Sequence, residues 1–111
     1  MLLLGDNSIG DEGIELLSTA LRGCEQLKQL DLGSNQITEE GAVALAAGLP
    51  FLTCLEHLNL SGNPLGRRGV AIVAKAISSL LNLKTFHVKN AFEYKSEVVK
   101  MVCVAGTLTS R

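Results

Sequence analysis

Residues 27–37, Leu-Lys-Gln-Leu-Asp-Leu-Gly-Ser-Asn-Gln-Ile, and residues 55–65, Leu-Glu-His-Leu-Asn-Leu-Ser-Gly-Asn-Pro-Leu, follow one pattern. Each has leucine at its first, fourth and sixth places: Leu27, Leu30 and Leu32, then Leu55, Leu58 and Leu60. Asparagine stands ninth, as Asn35 and Asn63. The Leu-x-Leu alternation puts apolar side chains on one side of a short strand. The asparagine inside a Gly/Ser cluster reads as the turn that ends it.

The pattern extends outward at a spacing of 28 residues. Asn7 joins Asn35 and Asn63, and Gly13, Gly41 and Gly69 form a second column. Leu27, Leu55 and Leu83 form a third, and Leu2, Leu30, Leu58 and Phe86 a fourth. Leu4, Leu32, Leu60 and Val88 make a fifth, and Ile9, Ile37 and Leu65 a sixth. After each turn comes an apolar stripe at helical spacing. The stripes are Ile14, Leu17, Ala20 and Leu21; then Ala42, Leu45 and Leu49; then Val70, Val73, Ala76 and Ile77. Thr38 suits a helix N-cap, its hydroxyl accepting a free backbone N–H. Glu39 and Glu40 follow it, as Asp11 and Glu12 do one repeat earlier, where the helix dipole favours negative charge. Pro50 should end the second helix early. A strand, a turn and a helix every 28 residues form a solenoid, because one such unit cannot bury its own apolar face.

Composition bounds the function. The 111 residues suffice for one domain. Ten Lys and Arg against eleven Asp and Glu argue against a nucleic-acid binder. A content of 47% hydrophobic and 19% charged residues argues against disorder. No apolar run is long enough to span a membrane, and Met1 to Leu4 is too short for a secretory segment. Cys24, Cys54 and Cys103 show no metal-ligand spacing and read as reduced thiols of a cytoplasmic protein. Trp is absent and aromatics are 4%, so the core is aliphatic.

The run Leu27, Leu30, Leu32, Asn35, Ile37, Gly41 and Leu45 resembles a leucine-rich repeat. The 28-residue period with a full helix is similar to the ribonuclease-inhibitor subfamily. That subfamily includes ribonuclease inhibitors, the sensing ends of NOD-like receptors and the Ran GTPase-activating proteins. The resemblance covers residues 2–88 and implies an α/β solenoid of three to four repeats, a horseshoe segment with its parallel sheet concave and its helices convex. It implies a buried ladder formed by Asn7, Asn35 and Asn63, whose amides both donate and accept. It also implies that Gly41 and its equivalents let helix and sheet approach closely. Residues 89–111 depart from the pattern: Ala91, Glu93 and Glu97 replace its Asn, Leu and Gly. Val98, Met101, Val102, Ala105 and Leu108 keep helical spacing, so residues 94–109 are expected to form a divergent last repeat or cap helix. Leu3 in an otherwise polar column suggests a piece of a longer protein whose open ends self-associate.

The variable positions of the strands should face the concave side in columns. These are Lys28, Glu56 and Lys84; Gln29, His57 and Thr85; Leu3, Asp31, Asn59 and His87; and Gly33, Ser61 and Lys89. From them Lys28, Gln29, Asp31, Glu56, His57, Asn59, Lys84 and His87 are the candidate protein-binding residues. They include no Trp, Tyr or Arg, the side chains that usually anchor interfaces. His57 and His87 with Asp31 and Glu56 have zinc-ligand chemistry, but nothing in the spacing enforces tetrahedral geometry. Arg67 and Arg68 replace the acidic pair at the third helix start, at a cost of ~0.3–1 kcal/mol each. No phosphate-binding loop or nucleophile elbow is present in the sequence. The expected function is a non-enzymatic protein-interaction module without metal or cofactor, belonging to or derived from a protein of NOD-like-receptor type. A small-GTPase regulator similar to the Ran GTPase-activating proteins is the alternative.

Overall fold

The computed structural model describes residues 1–89. The expected last helix over 94–109 and Cys103 lie outside them. The elements run β1 (Leu2–Leu3), α1 (Gly10–Leu21), β2 (Gln29–Asp31), α2 (Glu39–Gly48), a 3₁₀ turn (Leu49–Phe51), β3 (His57–Asn59), α3 (Gly66–Ile77) and β4 (Thr85–His87). The four strands form one parallel sheet in sequence order. Leu2 pairs with Leu30, Leu30 with Leu58, and Leu58 with Phe86, so strand register equals repeat register. This is the leucine-rich-repeat solenoid segment expected. Strands pack about 4.8 Å apart while helices need about 8–10 Å, so the stack curves with its sheet inside.

The core lies between sheet and helices. Leu30, Leu32, Leu58 and Leu60 enter it from the strands, and Ile14, Leu45, Val70 and Val73 from the helices, all fully buried. Each such side chain contributes roughly 1.5–3 kcal/mol by burial. Pro50 sits at the start of the 3₁₀ turn and α2 stops at Gly48, so Leu49 joins the core from the turn.

Three local readings are corrected. Ala20 is exposed. Its equivalent Gly48 lies against Ser18 of the preceding repeat's helix, and no described helix precedes α1. Ser18 takes the buried place instead, 6% exposed. Its hydroxyl donates to Ala44 O at 2.6 Å, which makes a polar group tolerable between helices. Thr38 has the extended backbone of an N-cap but makes no capping bond. Its hydroxyl donates to Asp11 Oδ2 and its N–H donates to Asp11 Oδ1 at 2.8 Å. Asp11 thus bridges α1 to the start of α2. The glycine column faces no strand. A Cβ on Gly41 would collide with Asp11 Oδ1 and Ile37 Cγ2, and one on Gly69 would sit 3.4 Å from Ala42 Cβ. These glycines let each helix approach its own turn and the helix before it.

Candidate functional site

The turn after each strand is built around an asparagine. Asn63 is fully buried, and its Oδ1 accepts from Asn35 N at 2.7 Å and Ile37 N at 3.1 Å. Its Nδ2 donates to Leu32 O and Leu60 O, both at 2.9 Å. Asn35 repeats this one unit earlier, accepting from Asn7 N and Ile9 N and donating to Leu4 O and Gly33 O. Asn7 differs from the expected buried residue: it is exposed, and its side chain donates only to Gly5 O of its own repeat. The reason is that no described repeat lies upstream of it.

Beside each asparagine the chain turns through the left-handed region. Asp6, Ser34 and Gly62, at equivalent positions, have φ of 60°, 54° and 77°. The sequence reading missed this column because only its last member is glycine. These turns hold the ends of the strands, and so fix the outward-facing side chains.

That face carries the candidate binding residues. Register places Gln29, His57 and Thr85 in one row and Asp31, Asn59 and His87 in the next. Several are bound within the face. Asp31 Oδ1 accepts from Gly33 N at 2.9 Å and from Asn59 Nδ2 at 3.1 Å. Asn59 Oδ1 accepts from Ser61 N at 2.9 Å. His57 Nδ1 lies 2.8 Å from Thr85 Oγ1. Lys84 Nζ lies 3.4 Å from Glu56 Oε1, an exposed pair of the kind worth at most about 1 kcal/mol.

Lys28, Gln29 and His87 make no side-chain hydrogen bond to a described residue, and Lys28 and His87 are exposed. The eight named side chains therefore divide into an anchored group (Asp31, Glu56, His57, Asn59, Lys84) and a free group. A shallow open depression lies over the middle of the face, lined by Gln29, Asp31, His57, Asn59, Thr85 and His87. A second, at the turn edge, shares Asp31 and Asn59 and is lined also by Asp6 and Ser61.

His57 and His87 lie on a diagonal of adjacent strands. Among the described residues no group of three His, Cys, Asp or Glu is arranged to hold a metal ion. Arg67 and Arg68 are exposed in the first turn of α3, away from this face. Neither forms an ion pair with a described residue.

The missed structural residues differ in how much signal they carried. Ser18 lies four places after Ile14 and three before Leu21, on the buried stripe. Asp11 was visible only as a first-turn acid matched by Glu39, and its column, which ends in Arg67, gave no sign of the bridge to Thr38. Among the described residues no helix is long and apolar enough to cross a membrane.

A search of curated proteins finds no match to the chain. A family model described as Leucine Rich repeat matches residues 2–18, 23–46 and 51–71, more than half of the sequence. These segments carry the Leu-x-x-Leu-x-Leu strands, the asparagine turns and most of the three helices described above. The chain belongs to the leucine-rich repeat family.

Proposed function

We propose that this chain is a non-enzymatic interaction module that binds a protein through the exposed face of β2, β3 and β4. The observation that carries the reading is the division of that face. Asp31, His57 and Asn59 are cross-linked to neighbouring strands or turns, which gives a pre-organised floor. Lys28, Gln29 and His87 project from that floor with their polar ends uncommitted. A pre-ordered surface loses less conformational entropy on binding than a flexible one.

The finer placement rests on the 28-residue repeat with a full helix in each unit. That period supports a ribonuclease-inhibitor-type repeat, and with it membership in, or derivation from, a larger cytoplasmic protein of NOD-like-receptor type. No specific observation favours the GTPase-regulator alternative.

The test is parallel affinity capture with the intact chain and a Lys28→Glu, Gln29→Ala, His87→Glu variant. These three side chains hold nothing in place, so the variant should fold with an unchanged urea midpoint. A protein retained by the intact chain and lost by the variant supports the face as the binding surface. Equal retention by both moves binding elsewhere and overturns the proposal.

A further inference from the structure

We infer that the groove between α2 and α3, on the helical side of the solenoid, is a docking surface for a second copy of this chain. The core separates this groove from the sheet face. Arg68 is the residue that points to it.

Arg68 holds the place that Glu12 and Glu40 hold in the two earlier repeats. An acid suits the first turn of a helix, and an arginine does not. Glu40 and Arg68 are both exposed. The ion pair formed among the described residues is Lys84 with Glu56, so Glu40 and Arg68 are unpaired within the chain. Neighbouring helices thus present opposite, unsatisfied charges at the same height.

An apolar strip continues from these charges along both helices. Steps of three, four and seven residues lead from Glu40 to Val43 and Ala47, and from Arg68 to Ala71, Ile72 and Lys75. Val43 is 54% exposed. Ala47, Ala71 and Lys75 are exposed, and Ile72 is half-buried. The core stripe of the same helices, with Leu45, Val70 and Val73, is fully buried. The outward strip is therefore a second face that the fold leaves uncovered by any described residue. Val43 stands one turn after Glu39, the equivalent of Asp11, which reaches Thr38 in the following repeat. Val43 leans by the same geometry toward α3. On α1 its place is taken by Glu15, and that of Ala47 by Thr19, so the strip belongs to α2 and α3.

A two-fold axis running along the groove, parallel to the helices, sets α2 of one copy on α3 of the other. Equivalent positions then meet at one height. Glu40 faces Arg68 of the second copy, and Arg68 faces Glu40 of the second copy. Val43 meets Ala71 and Ile72, and the stem of Lys75 lies along Ala47. An axis across the helices would instead set α3 on α3 and bring Arg68 toward Lys75, which like charge opposes. Charge therefore selects one arrangement, and a second copy supplies acid and base in the order that the groove requires. The patch is about 18 Å long and about 20 Å wide, from helix rise and helix spacing. That is small beside the roughly 800 Å² per partner of a standard interface, so the dimer is weak and salt-sensitive.

Sedimentation equilibrium of the full chain at low salt, up to about 1 mM, tests this. The expected result is a monomer–dimer equilibrium that weakens as salt is raised. Glu40→Arg and Arg68→Glu should each weaken dimerisation about tenfold or more, because each sets like charges together at both contacts. An equimolar mixture of the two variants should restore it, since one copy then offers two bases and the other two acids. That recovery requires both variants to be folded. Val43→Lys, with the original charges kept, should also weaken the dimer. A chain that stays monomeric, a dimer indifferent to both charge changes, or a mixture that fails to recover overturns the inference. Association that continues past the dimer would place the contact at the solenoid ends and overturns it too.

Discussion

Replacing Asn63 by leucine isolates what the asparagine ladder contributes. Leucine is close to asparagine in size but offers neither donor nor acceptor. At position 63 it leaves Asn35 N and Ile37 N without the acceptor they share and removes the donor from Leu32 O and Leu60 O. Carbonyls tolerate a lost partner better than N–H groups do, so the two N–H groups set the scale. An orphaned buried donor costs about 1–3 kcal/mol, which gives roughly 2–6 kcal/mol for the pair. That is a large part of the ~5–15 kcal/mol that holds a domain folded. Asn63→Ala should cost less, because the space vacated can admit a water. A water can accept twice and donate twice, as the lost amide did.

The same substitution at position 7 is the internal control. Asn7 is exposed, and its side chain holds only Gly5 O. Asn7→Leu should therefore change stability by no more than about 0.5 kcal/mol. Urea denaturation gives the order Asn63→Leu, Asn63→Ala, Asn7→Leu from most to least destabilised. Hydrogen exchange supplies the local readout, with the amides of Asn35 and Ile37 losing protection in both Asn63 variants. Equal stabilities for Asn63→Leu and Asn7→Leu would refute the argument that the ladder is strong because it is buried and fully bonded.

Other substitutions test the packing. Alanine for glycine inside a helix ordinarily stabilises by up to about 1 kcal/mol. Gly41→Ala should instead destabilise, because its Cβ meets Asp11 and Ile37; adding Asp11→Ala should recover part of the loss in a double-mutant cycle, and simple additivity would count against the contact. Gly62→Ala places a Cβ at φ of 77° and 2.5 Å from Ser34 Oγ, so it should cost more than the ~1–2 kcal/mol of left-handed strain alone. Ser34→Gly relieves that strain at φ of 54° while adding unfolded-state freedom, so its thermal midpoint should stay at or slightly above that of the parent. Leu58→Ala, in the middle of the sheet, should cost about 2–5 kcal/mol by urea denaturation.

The fold was legible because it repeats. Leu30, Leu58 and Phe86 align in the sequence for the same reason that they are partners across the sheet, so the period gave strand register directly. The helix details were less legible where repeats differ. Thr38 looked like an isolated cap because local sequence cannot show that Asp11, one repeat away, claims its hydroxyl and its N–H. Ala20 looked buried because it falls at helical spacing with Ile14, Leu17 and Leu21, yet it belongs to the first described helix and nothing described covers it. The glycine column was visible as a column, but its meaning depended on which neighbour it faces. The exposed face was legible as a set of positions. Its division into anchored and free side chains depended on bonds such as His57 to Thr85, which no single strand's sequence contains.

That division also bears on how such a module changes partner. A substitution at Asp31 removes the acceptor for Gly33 N and Asn59 Nδ2, and so disturbs the turn as well as the surface. A substitution at Lys28, Gln29 or His87 alters what the surface presents while leaving the bonds beneath it intact. Charge and shape at these three positions can therefore vary without loss of the floor, whereas Asp31 and Asn59 are constrained by the strands they tie together. Specificity is cheapest to change where a side chain holds nothing in the fold, and on this face those places lie at β2 and β4, on either side of the anchored β3.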